Sequence, residues 1–250
     1  MQERVLAWEG CLNVRDLGGL PTEDGRETRF GRVVRSDSPV LLTDTGWQAL
    51  VDYGVTTIVD LRRPAERDGD PPRAPAVAVT HVSLLGADDE ARWTRLEALA
   101  AAAPDQAAST ALIYRDVLTA NGRELATAVE AVAGAPPGAV LVHCVGGKDR
   151  TALVAALLLR LAGVPTDVIA GDYALSETFL APRHEAWLAA ARDDSERRRL
   201  ERIAATPAGA MQTVLDELDH EQGGADVYLR SQGLGDDVLV LARARLLDGP

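Results

Sequence analysis

Across 250 residues the chain carries 26 Lys+Arg against 38 Asp+Glu, a formal net charge of −12, with 46% hydrophobic residues, 22 Gly, 13 Pro and two cysteines. That length and apolar fraction suit a globular chain with one hydrophobic core, the Gly plus Pro content is too low for a disordered chain, and two cysteines give no disulfide-stapled fold. The acidic balance opposes a nucleic-acid footprint or a stable membrane anchor, so an anionic substrate requires a local positive site.

The first ten residues, MQERVLAWEG, hold acidic side chains where a signal peptide needs an uninterrupted apolar stretch, so no targeting segment is expected there. Cys11 and Cys144 lie far apart and have no zinc-ligand spacing, which predicts a reducing, cytoplasmic compartment. Extended apolar runs at 31–35, 55–61, 76–84 and 139–143 predict buried strands, because strands covered on both faces read as continuous apolar stretches. Helical patterns lie between them. Residues 43–53 start at an N-cap, Thr43 or Asp44; 90–103 are rich in Ala and Leu; 109–119 and 124–133 are two helices parted by Asn121-Gly122. This alternation predicts an α/β fold whose central, mainly parallel sheet is flanked by helices.

Beyond it the chain reads as mostly helical, over 166–180, 183–191, 196–203, 208–221, 225–232 and 236–247, with Pro165, Pro182 and Pro207 each near a first turn. One domain, 1–250, is expected, with a helical C-terminal portion over 166–250. The alanine stretch 98–103 reads as an exposed helix or, within the long connection 86–105, as a helical lid over a site. The charge run 196–202 reads as a solvated helix face. The longest apolar run, 152–159, is closed by Arg160 and is too short to span a bilayer.

Chemistry concentrates in residues 140–160, VLVHCVGGKDRTALVAALLLR: an apolar strand, a glycine-containing turn and an apolar helix. A cysteine five residues before an arginine is a weak signal by itself. Adding His143, Gly147 and Thr151 around Cys144 and Arg150 makes the match specific, and the chain's single lysine, Lys148, falls inside it. At a helix N-terminus, among backbone amides and cations, a thiol is driven toward the nucleophilic thiolate. Gly146 and Gly147 would let successive amides, from Val145 on, converge on phosphate oxygens. Arg150 would bind two of those oxygens bidentately, Lys148 would add a point charge, and Thr151 would donate its hydroxyl to the departing sulfur. Asp149, the one acid in the loop, would protonate the leaving alkoxide or phenoxide. A nucleotide-binding Gly-x4-Gly-Lys-[Ser/Thr] loop fails, since it needs glycine at Val142 and a hydroxyl at Asp149. A metal site also fails: His81, His143, His184 and His220 have no helical pair spacing, and His143 and Cys144 point to opposite faces of a strand. An inert cysteine in an ordinary βα turn is the alternative that the compound match disfavours.

HCVGGKDRT resembles the HCxxGKDRTG loop of the bacterial PtpB-like tyrosine-protein phosphatases, a branch of the cysteine phosphatase superfamily. NVRDLGGL, VVRSDSPVLLTDTGWQAL, TIVDLRRPAER, DYALS and YLRSQGL resemble further elements of that family, so the similarity covers nearly the full chain. The resemblance implies a parallel sheet flanked by helices, Cys144 as nucleophile, Arg150 on phosphate and Asp149 as general acid. It also implies activity extending from phosphotyrosine to phosphoserine/threonine and phosphoinositides, with a helical lid in some members. Ala152 stands where the family has glycine and Val14 where it has Phe; changed packing at the helix start is expected rather than lost chemistry.

Asp60 and Arg62 sit at a strand's C-terminal end, where open α/β sheets place ligands, and orienting the loop or forming a structural ion pair are both open to them. Arg15, Asp16 and Asp37 share that ambiguity, and the resemblance places them at the active site. Arg35 reads equally as structural, Cys11 as a small core residue rather than a resolving thiol, and His143 as ordering the loop. The expected protein is a cysteine phosphatase working through a phosphocysteine, without metal or organic cofactor, on a phosphorylated protein or peptide and releasing inorganic phosphate. A phosphoinositide phosphatase, favoured by Lys148, is the alternative enzyme. A catalytically silent phosphopeptide-binding module is the alternative of another class, opposed by intact Cys144, Arg150 and Thr151.

Overall fold

The computed structural model describes residues 3–71, 77–87 and 89–247. Five strands, β1 (Arg15–Asp16), β2 (Val33–Ser36), β3 (Val55–Asp60), β4 (Ala78–His81) and β5 (Ala139–His143), form one sheet in the order β1-β2-β5-β3-β4. β2, β5, β3 and β4 run parallel, and β1 pairs antiparallel with β2 at the edge. β5 lies at the centre and buries all five residues. Its side chains alternate between two cores: Ala139 and Leu141 pack with Trp8, Leu50 and Ile58 on one face, while Val140, Val142 and Cys144 pack with the larger helical layer on the other. The period of two that separates these faces also sends His143 away from Cys144.

α1 (Asp44–Asp52) covers the smaller face, and Thr43 is its N-cap, with Oγ1 accepting the Gly46 N–H at 3.2 Å. α2 (Glu90–Ala101), α3 (Gln106–Ala120) and α4 (Gly122–Ala133) follow, with Asn121 closing α3 immediately before α4 begins, as the Asn-Gly pair predicts. α5 (Asp149–Leu161) buries nine consecutive residues, Thr151 to Leu159, because the sheet lies on one side and α4, α6, α9 and α10 surround the rest. Ala152, at 1% exposure, belongs to that buried run. The C-terminal helices are α6 (Thr166–Ala189), α7 (Asp194–Ala204), α8 (Ala208–Glu221), α9 (Ala225–Ser231) and α10 (Asp236–Leu247). No helix among the described residues is long and apolar enough to cross a membrane.

Two predicted elements require correction. The break at Pro182 is absent, and α6 runs through it for 24 residues. Tyr173, Ser176, Leu180 and His184 form a buried stripe spanning both sides of the proline, so tertiary packing holds the helical register. Pro182 itself is exposed, as is Thr178, whose carbonyl loses the i+4 amide and faces water. The run at 76–84 is also not a buried strand: β4 is four residues long and all four are exposed, since it forms the sheet's outer edge, while Val77 and Val82 beside it are buried. Ala76, the first residue of that predicted strand, and Asp88, inside the predicted 86–105 lid, lie outside the described residues.

Candidate active site

The loop between β5 and α5 opens at the carboxyl ends of the parallel strands. Its shape follows from where its carbonyls go. The His143 carbonyl accepts the Leu61 N–H at 2.9 Å, that of Cys144 meets His143 Nδ1 at 3.0 Å, and that of Val145 accepts the Ser38 N–H at 3.0 Å. Asn13 Nδ2 donates to the Gly146 carbonyl at 2.9 Å, and Arg35 Nη2 donates to those of Gly147 and Lys148 at 2.8 and 3.3 Å. No peptide among the described residues is cis, and a trans peptide points its N–H opposite to its C=O. The amide N–H groups from Val145 to Asp149 therefore point away from those donors. α5 adds the unsatisfied N–H groups of its first turn.

Gly147 makes this path possible. Its φ is +64°, and a Cβ there would sit 2.2 Å from the Ser36 carbonyl oxygen. Gly146 is different: a Cβ there would meet no protein atom closer than Leu180 Cδ1 at 3.7 Å, so the path of the chain itself requires glycine at 147 and not at 146.

Arg150 Nη1 and Nη2 lie 2.5 and 2.8 Å from the two carboxylate oxygens of Glu66, a bidentate clamp. Burial opposes the Arg150 charge, yet Glu66 and the nearby Cys144 hold its pKa above the ordinary arginine value. Burial likewise opposes ionisation of Glu66, and Arg150 holds its pKa below the usual carboxylate range. Glu66 is itself fixed: its carboxylate accepts the Arg63 N–H at 2.7 Å, and its carbonyl accepts from Arg62 Nη1 at 3.1 Å. Arg62 is bound to Asp60 at 2.8 Å and Asp70 at 2.6 Å, so Asp60 and Arg62 form an ion pair that braces the Glu66 turn rather than facing the loop interior. Burial works against the Asp60 charge, but Arg62 and His143 bring its pKa down to about 2. His143, 3.6 Å from Asp60, is buried, and burial lowers its pKa to about 4, so the ring is neutral and donates from Nδ1.

Asp149 opens α5 with its side chain half exposed, and Oδ1 accepts the Tyr114 hydroxyl at 2.7 Å. Lys148 departs from expectation. Its ammonium donates to the carbonyls of Ile203 and Ala205, at the C-terminal end of α7, and stands 3.6 Å from Asp149, so it fastens a helix over the site instead of pointing into the loop. The Thr151 hydroxyl is buried and has no hydrogen-bond partner among the described residues. A cavity of about 410 Å3 opens at Asp149 and Arg150, walled by Trp93 and Glu97 of α2 and by Arg199, Arg202 and Ile203 of α7. A larger hollow of about 850 Å3 lies at the other end of α5, where Arg160 pairs with Glu23 and Asp219; no cysteine, serine, threonine or histidine lines it.

The outlying residues divide. Asp172 of α6 receives Arg4, Arg15 and Arg35, and Arg15 also binds Asn13 Oδ1 and Ser176 Oγ. Asp37 accepts the Leu12 and Asn13 N–H groups and Arg183 Nη2 at 2.6 Å. Arg15, Arg35 and Asp37 thus act on the loop through Asn13 or directly on its carbonyls. Asp16 does not belong to this shell: it accepts the N–H groups of Gly18 and Gly31 and the Tyr53 hydroxyl, stapling the chain around β1. Cys11 packs with the smaller core, its thiol 3.4 Å from the Ser38 carbonyl, and burial pushes its pKa far above the usual thiol value. No group of three or more His, Cys, Asp or Glu among the described residues is arranged to hold a metal ion.

Sequence reasoning missed Asn13, Glu66, Asp172 and Tyr114. The first three lie in NVRDLGGL, DLRRPAE and DYALS, segments whose resemblance was visible while their roles were not. Tyr114 had no local signal.

A cysteine at the end of a central parallel strand, followed by a loop of tethered carbonyls and a clamped arginine at a helix start, defines an α/β cysteine phosphatase. The chain belongs to the tyrosine phosphatase family, which it matches over residues 6–248. It is 31% identical over 217 residues to a tyrosine-protein phosphatase of Nostoc commune, covering 82% of this chain and 70% of that protein. It is 33% identical over 189 residues to the triple specificity protein phosphatase PtpB of Mycobacterium tuberculosis, covering 66% of each. Membership implies a phosphorylated substrate.

Proposed function

We propose that this chain, acting as one phosphatase domain, hydrolyses phosphotyrosine and related phosphomonoesters through a phosphocysteine at Cys144. The Cys144 thiolate attacks phosphorus while Arg150 and the amides from Val145 to Asp149 hold the equatorial oxygens. The P–O bond to the leaving group breaks, and Asp149 gives that oxygen a proton. In the second step Asp149 takes a proton from water, water attacks phosphorus, and the sulfur leaves as Thr151 donates to it, releasing inorganic phosphate. The tethering of successive carbonyls, from Cys144 to Lys148, carries this reading because it leaves the opposite amide N–H groups free for phosphate oxygens. A reduced nucleophile accords with a cytoplasmic location. α2 and α7 form the cover over the site.

Hydrolysis of a small aryl phosphate in the presence of chelator tests the mechanism. Turnover is expected to vanish in Cys144→Ser, to be inhibited by vanadate, and to fall more for poor leaving groups than for good ones in Asp149→Asn. Wild-type protein that binds vanadate without turnover would replace the enzyme with the binding module.

The cavity favours a second substrate class. Arg63, Arg199 and Arg202 line it beside Arg150, so a phosphoinositide with further phosphates would meet positive charge there, although Lys148 is committed to α7. The mycobacterial relative is named a triple specificity phosphatase, which is in line with a permissive site. Turnover on a phosphotyrosine peptide against phosphoinositide vesicles ranks the two.

A further inference from the structure

Resting on the reading of Asp149 as the proton donor, we infer that Tyr114, backed by Tyr173, is a positioning residue that commits Asp149 Oδ1 and leaves Oδ2 to carry the transferred proton. The Tyr114 hydroxyl lies 2.7 Å from Asp149 Oδ1 and 2.9 Å from the Tyr173 hydroxyl, and the two rings meet edge to face at 5.9 Å. Both side chains are buried, at 2% and 1% exposure. Burial, then the Asp149 charge, holds both phenols well above their ordinary pKa, so each keeps its proton. Three oxygens then share two phenolic protons. The carboxylate is the strongest acceptor, so Tyr114 donates to Asp149 and Tyr173 donates to Tyr114.

The chain of donors runs from α6 through α3 to the first residue of α5 and has one direction. Lys148 stands 3.6 Å from the same Oδ1, adding a positive charge beside the neutral phenol on that side. An aspartate half exposed at a helix start otherwise turns about two side-chain torsions, and each turn moves the acid away from the leaving oxygen. The tyrosine pair removes that freedom through its bond to Asp149.

Tyr114→Phe deletes one oxygen and retains the ring contact with Tyr173. Its kcat on phenyl phosphate, a poor leaving group, is expected to fall about tenfold or more, and its kcat on 4-nitrophenyl phosphate less than about threefold. KM and vanadate inhibition are expected to stay within about twofold, since the loop is intact. In an Asp149→Asn background the same substitution is expected to add no further leaving-group dependence. A uniform loss on both substrates, or full additivity with Asp149→Asn, would show a merely structural tyrosine and overturn the inference. Should Tyr114→Phe fail to fold, Tyr173→Phe carries the test: it keeps the bond to Asp149 but weakens it, and about a two- to fivefold loss confined to phenyl phosphate is expected, an unchanged ratio overturning the inference. The two readings fail separately. Leaving-group dependence in Asp149→Asn but not in the tyrosine variants sinks only the positioning role, whereas its absence from Asp149→Asn removes the acid itself and the positioning role with it.

Discussion

Between β5 and α5 each carbonyl from His143 to Lys148 meets a donor, and the charged side chains among those donors and behind them, Arg35, Arg15 and Asp172, are buried. α7, which covers the same loop, buries none of its residues and is joined to α2 by the exposed Arg199–Glu97 pair. Breaking a buried charge network strands an uncompensated ion, while an exposed ion pair contributes little. The loop is therefore held by a buried charge network, whereas α2 and α7 are joined to each other by an exposed pair. Lys148 is where the two regions meet, with its backbone in the first and its ammonium on the second.

The largest effect expected from breaking this contrast comes from Asp172→Asn. Burial opposes the Asp172 charge, yet Arg15, Arg35 and Arg4 hold its pKa far below the usual value, so the variant leaves three cations uncompensated. Urea unfolding should show a loss of about 3–5 kcal/mol, together with reduced turnover as Arg35 loosens its hold on the Gly147 carbonyl.

Next comes a pH dependence on the far side of β5. His143 titrates near 4 in the folded protein against 6.5 when exposed, so the unfolded chain binds a proton that the native one refuses. Its contribution is complete above pH 6.5 and is lost as pH falls toward 4, amounting to about 3 kcal/mol. His143→Gln should unfold without that slope between pH 6.5 and 4; an unaltered slope would assign it to another group.

Glu66→Gln should lower kcat/KM on an aryl phosphate by about a hundredfold, because Arg150 loses its charged clamp, with melting temperature shifted only slightly. Activity within about twofold of wild type would show that the loop alone orients Arg150. Smallest of all, Arg199→Ala should change stability by less than about 1 kcal/mol and turnover of a small substrate by less than about twofold. A large loss would place α7 in the rigid scaffold and dissolve the contrast.

By itself the sequence determined the strand–loop–helix around Cys144 and Arg150, the mainly parallel sheet, and most helices, because those depend on local terms. Side-chain periodicity sets the two faces of β5, and an Asn-Gly pair parts α3 from α4. Propensity also misled locally: Pro182 signalled a helix start, but the buried stripe of α6 outweighed one missing hydrogen bond. The apolar run around β4 signalled burial, but only its position in the sheet order decides that.

Tertiary structure decided partners. Asn13 reaches Gly146 across 133 residues, Glu66 reaches Arg150 across 84, and Asp172 reaches Arg15 across 157. The residue types at these positions permit many pairings, and a charged group's partner is chosen by which elements pack together. For the same reason Lys148 points at a helix end rather than into its own loop, and Asp16, one residue from Arg15, serves the fold and not the site.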